Sequence, residues 1–505
     1  MGIVKKDALR TTLISYVGLV LGYINKAFLF IIFLSTVQIG LVNLLTTTGL
    51  LFAQLSNLGS VYVTWRFFPF FRNDAKQHYG FLLFNLLIVA LGVLLFTFLF
   101  WIFKSEISSY FKEKSSLFVH YAWWVVPVGI GNVLFMLFEN HLRGLFKNIF
   151  PVLLQDIGLR VVTTFLLILY AIKYISFEYF LAALMVSNLI PALVLFIYLI
   201  RLGELHFSFN QITIPRRFRK IIISFSMFSY VNTLATMLVI TMDAMMIGGM
   251  IGLAATGIYT TMVQITSAVL IPFRAMTRVS SPIVAKLWKE KDLIGLQEIY
   301  KKSSGAGLFI GLISFLGLWL PVKELFSFLK PEFTAGIPVL FFLLIGRVVD
   351  MYCGLNGIIF ATSRKYKYDL LFTVLLCVGI YCLNRLLIPR YGIAGVGFAT
   401  GIIYVFYNIA RSAYIYFAYH LNPFHKGHFK PILLFIGVIL VHLLFENFFP
   451  LSKELTTFNK LLRIVIIELW VLVGFVFPVL WFNLEPETSG YMRAFVLEFK
   501  RKYIK

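Results

Sequence analysis

The chain has 505 residues, of which 60% are hydrophobic and 13% are charged, and its mean hydropathy is +0.88. This composition excludes a soluble globular protein and predicts a membrane protein that crosses the bilayer many times. The 45 Lys and Arg residues outnumber the 22 Asp and Glu residues and give a net charge of +23. In a soluble chain this excess would suggest nucleic-acid binding. Here the basic residues collect in loops between apolar segments, so we predict no nucleic-acid partner.

Apolar segments of membrane-spanning length recur along the whole chain. A helical span needs about 20 mainly apolar residues, and about 14 segments reach that length. We predict spans at Leu9–Leu34, Leu41–Trp65, Tyr79–Phe103, Leu117–Phe138, Pro151–Tyr170, Tyr179–Ile200, Ile221–Met246, Leu253–Phe273, Gly305–Leu325, Pro338–Phe360, Leu370–Ile388, Ala394–Ala418, Pro431–Phe449 and Leu461–Trp481. The predicted fold class is therefore an all-α, polytopic membrane protein.

The basic residues predict the orientation of these helices. Lys and Arg are more frequent in the loops on the side of the N-terminus than in the opposite loops. With an even number of spans, the positive-inside rule then places both termini in the cytoplasm. The basic stretches RRFRK (216–220) and LWKEKDLIGLQEIYKK (287–302) are interpreted as topology signals beside anionic headgroups. The first apolar segment has the length of a span and no cleavage site follows it, which predicts an uncleaved helix.

No motif for catalysis, nucleotide binding or metal binding stands out. The sequence contains no GxxxxGK[ST], HExxH or GxSxG pattern, which argues against an ATP-driven pump or a hydrolase. The predicted outer connections, such as KSEISSYFKEKSS and PVKELFSFLKPEFTAG, are short, which weakens a polymerase, ligase or glycosyltransferase interpretation. The pair His425 and His428 is interpreted as a solvated loop, and Cys353, Cys377 and Cys382 as small core residues. We predict no enzyme, no metal site and no cofactor.

Ionisable residues inside the predicted spans are candidates for function, because a charge in lipid costs at least ~2.5 kcal/mol. These residues are Lys26, Asp243, Arg274, Arg278, Arg347, Asp350, Arg411, Arg463 and Glu468. Arg347 and Asp350, at i and i+3, fit either an ion pair or a substrate or coupling-ion site. Lys26 lies about 17 residues into its span, roughly 25 Å from the cytoplasmic end. It therefore needs a wet cavity, a partner or the outer interface.

Other charges have simpler interpretations. Asp156 and Arg160, at i and i+4 near a predicted cytoplasmic helix end, are interpreted as a structural pair. Glu139 and Arg411 are expected to extend to the headgroups.

The stretch IPFRAMTRVSSP (271–282) closes the eighth predicted span and carries two arginines. About 20 residues counted from Leu253 cross the hydrocarbon, which puts Arg274 at the inner mouth of a cavity and Arg278 at the headgroups as an anchor. Pro272 is expected to kink the helix just before Arg274.

A weak internal repeat predicts two related halves. VQIGLVNLL with Gly40 and AATGIYTTM with Gly257 are each interpreted as a tight outer turn whose glycine precedes an apolar helix. The second and eighth spans both end near an arginine that a proline follows, Arg66 in one and Arg278 in the other. We predict an N-terminal six-helix lobe at 1–200, a basic cytoplasmic linker at 201–220, a C-terminal six-helix lobe at 221–420, two further helices at 421–483 and a cytoplasmic tail at 484–505.

The stretch from Thr241 to Ser304 resembles a known family. TMDAMMIGGMIGLAATGIYTTMVQI, IPFRAM and SSPIVAKLWKEKDLIGLQEIYKKSS, and later LIPRYGIAGVGFATGIIY, resemble the polysaccharide-transporter branch of the multidrug/oligosaccharidyl-lipid/polysaccharide exporter superfamily, the Wzx-type O-antigen flippases. The matching features are Asp243 at the end of span seven, the turn with Gly257 and Tyr259, Pro282 after span eight and the lysine-rich helix at 286–302.

This resemblance implies a MATE-like fold with two pseudo-symmetric six-helix lobes around a central cavity and the last two spans outside. It implies a flippase of the bacterial cytoplasmic membrane that moves an undecaprenyl-pyrophosphate-linked oligosaccharide from the inner to the outer leaflet by alternating access. The product would serve O-antigen, capsule or exopolysaccharide assembly. Membrane lipids and other polysaccharide-assembly proteins are the further expected partners.

The implied headgroup indicates which side chains would bind it. A pyrophosphate is a compact polyanion, which Arg and Lys grip by charge-assisted hydrogen bonds. The candidates are Arg274, Lys26, Arg66, Arg347 and Arg278 for the headgroup, Asp243, Asp350 and Glu468 for a coupling ion, and Gln54, Asn57, Asn132 and Gln264 for the sugar. Lipid II flippases carry cavity cations at comparable places in spans one, two and eight, although Lys26 here is paired with Asn25 rather than with a carboxylate.

Three alternatives share parts of this pattern. A lipid II or teichoic-acid-type flippase would differ only in the sugar. A drug/cation antiporter of the same fold would have an acidic, aromatic cavity, whereas the charges within the predicted spans are mainly basic. A non-transporting membrane scaffold would leave Lys26 and Arg347 without a purpose, and alanine at either position would be silent.

Overall fold

The computed structural model describes residues 2–73, 78–205, 216–448 and 456–484. All regular elements in these ranges are helices. The α-helices are α1 (Gly2–Tyr23), α2 (Phe30–Phe33), α3 (Thr36–Ser56), α4 (Ser60–Phe71), α5 (Phe81–Ile102), α6 (Lys104–Lys112), α7 (Ser116–Tyr121), α8 (Val125–Gly144), α9 (Ile149–Leu153), α10 (Leu159–Ala171), α11 (Phe177–Ser187), α12 (Ile190–Arg201), α13 (Arg216–Met250), α14 (Leu253–Val269), α15 (Ile271–Glu290), α16 (Leu293–Trp319), α17 (Val322–Phe326), α18 (Ile337–Tyr352), α19 (Asn356–Thr362), α20 (Lys367–Tyr419), α21 (Phe429–Phe448), α22 (Thr457–Val471) and α23 (Phe477–Trp481). The predicted all-α class is confirmed.

Most predicted spans correspond to helices that are long and apolar enough to cross a membrane. The described residues contain 12 such helices, and the bent pair α14 and α15 adds one more. The 53-residue α20 would be about 80 Å long at 1.5 Å per residue, far more than the hydrocarbon core. It breaks at Gly392, whose φ of 57° and ψ of −137° glycine adopts without steric cost. Thus α20 contains the predicted eleventh and twelfth spans.

The predicted bounds of the second span are wrong. We predicted Leu41–Trp65, but α3 begins at Thr36 and ends at Ser56, before a break that precedes α4. The early start follows from a capping box, in which Gln38 N donates to Ser35 Oγ (3.2 Å) and Ser35 N donates to Gln38 Oε1 (2.9 Å). This reciprocal bonding satisfies amides that the first helical turn leaves without carbonyl partners.

The two glycines of the predicted repeat lie within helices and not in turns. Gly40 belongs to α3 and Gly257 to α14. A Cβ atom at Gly40 would overlap the carbonyl of Leu253, and one at Gly257 would overlap the carbonyl of Thr36. The interpretation as outer turns is therefore wrong, and these glycines allow two helix backbones to approach closely.

The chain divides into two compact units, Met1–Thr261 and Met262–Lys505. In the first unit a hydrophobic core lies around Phe68, Phe138 and Leu195. In the second unit one core joins α16 to α21–α23, and another surrounds Tyr300 and Phe360. Large apolar side chains such as Leu94 are exposed along the helices, as expected for surfaces that face lipid. The predicted lobe boundaries stay a prediction.

Candidate functional site: a cationic cavity in the first unit

Two π-helical segments interrupt the first and fifth predicted spans. One covers Ile24–Leu29 and the other Leu154–Gly158. Such segments insert one extra residue per turn and frequently occur at functional sites, because they disturb the regular backbone ladder. Asn25 Nδ2 donates to the carbonyl of Arg160 (2.9 Å), and Thr164 Oγ1 donates to Asn25 Oδ1 (2.7 Å). The Asn25 side chain thus holds the two irregular helices together.

These segments border a cavity of about 190 Å³. Its lining residues are Gly22, Asn25, Lys26, Phe30, Val42, Thr46, Gln155, Leu159, Arg160, Thr163, Leu184 and Asn188. The cavity is large enough for several waters or a small polar group, since one water occupies about 30 Å³ in the liquid. A cavity is one of the three environments that we expected Lys26 to need.

Gly22 allows Arg160 to reach the cavity. A Cβ atom at Gly22 would overlap Nη1 of Arg160, so the guanidinium packs directly on the α1 backbone. One turn earlier, a Cβ at Gly18 would overlap the carbonyl of Asp156. Small residues at i and i+4 on one helix therefore permit the close approach that places Arg160 beside the first span.

Asp156 interacts electrostatically with Arg160, but no salt bridge joins the two side chains, so the pair that we interpreted as structural is not in direct contact. Asp156 Oδ2 accepts a hydrogen bond from Ser15 Oγ (2.7 Å). Within the described ranges, no salt bridge joins Lys26 or Arg160 to a carboxylate. Arg160 Nε is also buried without a hydrogen-bond partner there. From the sequence we named Arg160 only as half of a structural pair, although three polar residues at 155, 156 and 160 in one predicted span could have indicated a cavity.

The cavity has the chemistry of an anion site. Its lining includes two cations and no carboxylate. Two like charges in a membrane cavity are costly, and a bound anion would offset that cost. Arg160 offers a planar fork of donors for phosphate oxygens, and Lys26 adds a compact positive charge.

The other predicted cations lie elsewhere in their respective units. Arg66 is exposed on α4, with its Cζ 4.3 Å from the ring centre of Phe225. Arg274 and Arg278 are exposed on α15. The expected kink near Pro272 is confirmed, since α14 and α15 meet at 53° and Pro272 lies in the first turn of α15.

Of the two alternatives for Arg347 and Asp350, the structure does not contain the ion pair. These two described residues form no salt bridge, and Arg347 Cζ lies 5.5 Å from the ring centre of Tyr404. Asp243 is buried and accepts a hydrogen bond from Tyr259, which joins two residues of the motif noted in the sequence. Glu468 is half-buried on α22.

The predicted sugar contacts have differing surroundings. Asn57 is fully buried, and its Oδ1 accepts from the backbone amide of Gly59 (2.6 Å). Gln54 is also buried and its Oε1 accepts weakly from a tyrosine hydroxyl at 3.4 Å. Asn132 is half-buried and donates to the carbonyl of Val128 (2.8 Å), and Gln264 is half-buried. Their roles, like those of the cations and carboxylates above, stay predictions.

Two further arginines are buried in ion pairs of the second unit. Arg411 Nη2 lies 2.7 Å from Asp369 Oδ1 and is not extended to the headgroups, contrary to expectation. Arg463 Nε lies 2.5 Å from Oε1 of Glu324, a carboxylate with 0% exposure. Glu139 pairs with Arg143 instead of extending alone.

The histidine pair and the cysteines differ in part from expectation. His428 is buried rather than solvated, and His425 is exposed. Cys353 is buried and Cys377 half-buried, but Cys382 is exposed and is not a core residue. No group of three or more metal-ligating side chains suited to an ion occurs in the described ranges.

Comparisons with known proteins identify the family and the fold. Residues 4–288 match the family described as polysaccharide biosynthesis protein. No curated protein matches the chain. The lipid II flippase MurJ in an inward closed conformation has a similar structure, with a TM-score of 0.66 and 14% identity over 92% of this chain and 98% of that chain.

Two transporters of the MOP superfamily are also similar. An inward-facing multidrug resistance MATE family transporter has a TM-score of 0.63 and 14% identity, covering 81% of this chain and 94% of that one. A transporter from Pyrococcus furiosus, described as having a binding pocket of reverse polarity, has a TM-score of 0.55 and 15% identity, covering 82% and 96%. These likenesses confirm the predicted MATE-like fold.

Proposed function

From the premise that the chain belongs to the polysaccharide biosynthesis protein family, we propose that it is a flippase for a lipid-linked oligosaccharide. Its substrate would be an undecaprenyl-pyrophosphate-linked oligosaccharide, moved from the inner to the outer leaflet of the bacterial cytoplasmic membrane. The exported unit would enter O-antigen, capsule or exopolysaccharide assembly. The fold shared with MOP superfamily transporters supports alternating access as the mechanism.

The observation that carries this proposal is the cavity lined by Lys26 and Arg160. Both cations lie in helices that qualify as membrane spans, and neither forms a salt bridge within the described ranges. A pyrophosphate would supply the missing negative charge. Its oxygens would accept two parallel bonds from Arg160, while Lys26 would donate to another oxygen.

Three of the other predicted residues have supporting roles in this proposal. Arg274, exposed just beyond the bend between α14 and α15, would capture the headgroup first. The polyprenyl tail would stay in lipid, where apolar faces of the spans are exposed. Asn132 and Gln264 are half-buried and remain candidates for the sugar.

The cavity lining also bears on the alternative functions. A drug/cation antiporter needs carboxylates to attract a cation, and no carboxylate lines this cavity. A lipid II or teichoic-acid-type flippase shares the same headgroup chemistry and would differ in the sugar. A non-transporting scaffold would gain nothing from two cations in a cavity, since each costs free energy in the membrane.

The headgroup chemistry can be tested with farnesyl pyrophosphate, a short-chain probe that dissolves without a bilayer. The full-length protein in detergent should bind it more tightly than farnesyl monophosphate, and farnesol should bind weakly, because affinity follows the negative charge. Lys26→Gln and Arg160→Gln should each weaken binding about 10-fold or more, since a charge-assisted hydrogen bond contributes ~1.5–3 kcal/mol.

Arg72→Gln is the matched control, because Arg72 is an exposed cation of the first unit that lies on Phe146 outside the cavity. Farnesol binding equal to that of the pyrophosphate, or equal losses in Arg72→Gln and Arg160→Gln, would exclude the cavity as a headgroup site. In cells, mass spectrometry of a deletion strain should find the unexported lipid-linked oligosaccharide. No accumulation would contradict the flippase function itself.

A further inference from the structure

A second group of titratable side chains lies in the first unit, apart from the cavity. His78 precedes α5, His141 lies near the end of α8, and Glu204 follows α12. Both imidazoles approach the same carboxylate oxygen, since Glu204 Oε2 is 2.9 Å from His78 Nε2 and 3.7 Å from His141 Nε2. The side chain of His141 is 0% exposed, whereas that of Glu204 is 15% exposed. Water can therefore reach the cluster through the carboxylate.

The end of α12 fixes the position of Glu204. Gly203 has a φ of +71°, and its amide donates to the carbonyl of Ile200 (2.9 Å). The amide of Glu204 donates to the carbonyl of Leu199 (3.1 Å). These two bonds define a Schellman motif, which ends the helix and turns the next residue back along it. Glu204 is thus held by backbone geometry.

The backbone at His78 is strained. His78, Tyr79 and Gly80 have φ values of 50°, 53° and 63° in succession. Left-handed backbone costs roughly 1–2 kcal/mol per non-glycine residue, so this turn persists only because its surroundings hold it. His78 is held at both ring nitrogens. Asn73 N donates to Nδ1 (3.0 Å), and Nε2 faces Glu204 at 2.9 Å.

These bonds define where a proton can be added. Because Nδ1 of His78 accepts from the Asn73 amide, the neutral ring carries its hydrogen on Nε2 and donates it to Glu204. Protonating His78 would require the loss of the Asn73 bond. Neither ring nitrogen of His141 has a hydrogen-bond partner in the described ranges, so His141 can take a proton without breaking one.

We propose that His78, His141 and Glu204 form a proton-binding site in which His141 accepts the proton and competes with His78 for Glu204. The added proton makes His141 an imidazolium with N–H on both nitrogens, and no covalent bond between heavy atoms changes. The new charge draws Oε2 from His78 towards His141, which weakens the bond that holds the strained turn at 78–80. This inference goes beyond the proposed function and does not depend on the substrate.

The surroundings support this assignment of the titrating group. Burial raises the pKa of Glu204, but its interactions with the imidazoles of His141 and His78 outweigh that effect and lower the pKa to about 2. Glu204 therefore contributes stability that is complete above its usual pKa of 4.5 and is lost only as the pH falls towards 2. Histidine is the side chain whose unperturbed pKa lies between about pH 5 and 8, and His141 is the member of the cluster that can accept a proton without losing a hydrogen bond.

The charged residues on the neighbouring elements have other partners and do not contribute to the cluster of His78, His141 and Glu204. Burial opposes a positive charge on His141, Glu204 favours that charge, and His78 opposes it; Glu204 and His78 are the titratable groups among the described residues that act on His141. On the neighbouring elements, Arg143 pairs with Glu139 and Arg72 lies against Phe146. Phe68 packs against both imidazoles, at 5.3 Å from His78 and 4.4 Å from His141 between ring centres. The apolar ring lowers the local dielectric, which strengthens the electrostatic interaction of both imidazoles with Glu204.

The test is hydrogen–deuterium exchange of the full-length protein in lipid nanodiscs, with rates corrected for the intrinsic effect of pH. Peptides that cover the turn at 78–80 should exchange about 10-fold faster at pH 5.5 than at pH 7.5, because the loss of one charge-assisted hydrogen bond changes the opening equilibrium by about that factor. His141→Gln keeps an amide donor but cannot bind the proton, so it should abolish the rise. His420→Gln, at an exposed histidine, should retain it.

A measurement on the unaltered protein covers the case in which His141→Gln does not fold. Imidazole ¹⁵N spectra should show His78 with its hydrogen on Nε2 at pH 7.5, and His141 should titrate with the same midpoint as the exchange. No rise in the wild type, an equal rise in His141→Gln, or a His78 hydrogen on Nδ1 at pH 7.5 would each overturn the proposal. Because no transport is measured, these outcomes are independent of the flippase function.

Discussion

The two units differ in the partners of their buried cations. In the second unit, Arg411 contacts Asp369 and Arg463 contacts Glu324, so each buried guanidinium has a carboxylate at 2.7 Å or less. In the first unit, Lys26 and Arg160 line a cavity without such a partner in the described ranges. A paired buried charge is costly to separate, whereas an unpaired charge at a cavity is available to a ligand. We therefore expect stability to depend on the first kind of residue and activity on the second.

The largest loss of stability is expected at the Glu324 pair. Arg463→Ala leaves a carboxylate with 0% exposure unpaired and should lower the free energy of unfolding by about 3–5 kcal/mol. Thermal unfolding of the purified protein would measure the effect. The double variant Glu324→Leu/Arg463→Met removes both charges and should be close to wild type. Equal destabilisation in the single and double variants would show that charge is not the cause.

A smaller loss is expected at Arg411. Its partner Asp369 has a side chain that is 20% exposed, so water can replace part of the lost interaction. Arg411→Ala should therefore cost about 1.5–3 kcal/mol, less than Arg463→Ala by the same measurement. The reverse order would contradict the idea that burial of the carboxylate sets the cost.

Gly22→Ala tests whether the position of Arg160 matters, because it displaces the guanidinium without removing its charge. The new methyl group would occupy the place of the guanidinium and should cost about 1–3 kcal/mol through overpacking. It should also weaken binding of farnesyl pyrophosphate, although every charge remains. Gly158→Ala is the matched control, since a Cβ there meets atoms no closer than 3.8 Å. Normal binding by Gly22→Ala would remove Arg160 from the headgroup site.

The smallest change in stability is expected at the cavity cations. Lys26→Met and Arg160→Met remove charges that have no carboxylate partner, so the free energy of unfolding should change by less than about 1 kcal/mol or increase. Export of the lipid-linked oligosaccharide, measured by surface glycan in a deletion strain, should nevertheless be lost. A strong destabilisation would instead make these residues structural.

Much of the fold can be predicted from the sequence, because the positions of the spans depend on local composition. Hydropathy alone predicts most spans, and the proline at 272 predicts the bend that the structure contains. The need of Lys26 for a cavity, a partner or the outer interface follows from the cost of a charge in lipid, and the structure places it at a cavity. These properties are local, so they can be inferred without knowledge of helix packing.

The residues that the sequence did not identify depend on contacts between distant segments. Arg160 reaches the cavity because Gly22, more than 130 positions earlier, leaves room for it. Glu324 lies at the end of the predicted ninth span, Gly305–Leu325, and only its contact with Arg463 marks it as a buried charge. Arg347 and Asp350 have the spacing of an ion pair, but side-chain direction decides against one. Spacing along one helix cannot supply that information.

Translocation by the purified protein tests the central claim most directly. Proteoliposomes containing the lipid-linked oligosaccharide isolated from the deletion strain would be assayed for its appearance in the opposite leaflet. The wild-type protein should move it, and Lys26→Gln/Arg160→Gln should reduce the rate about 100-fold, since two charge-assisted contacts are lost. A double variant that moves the lipid at the wild-type rate would contradict the account.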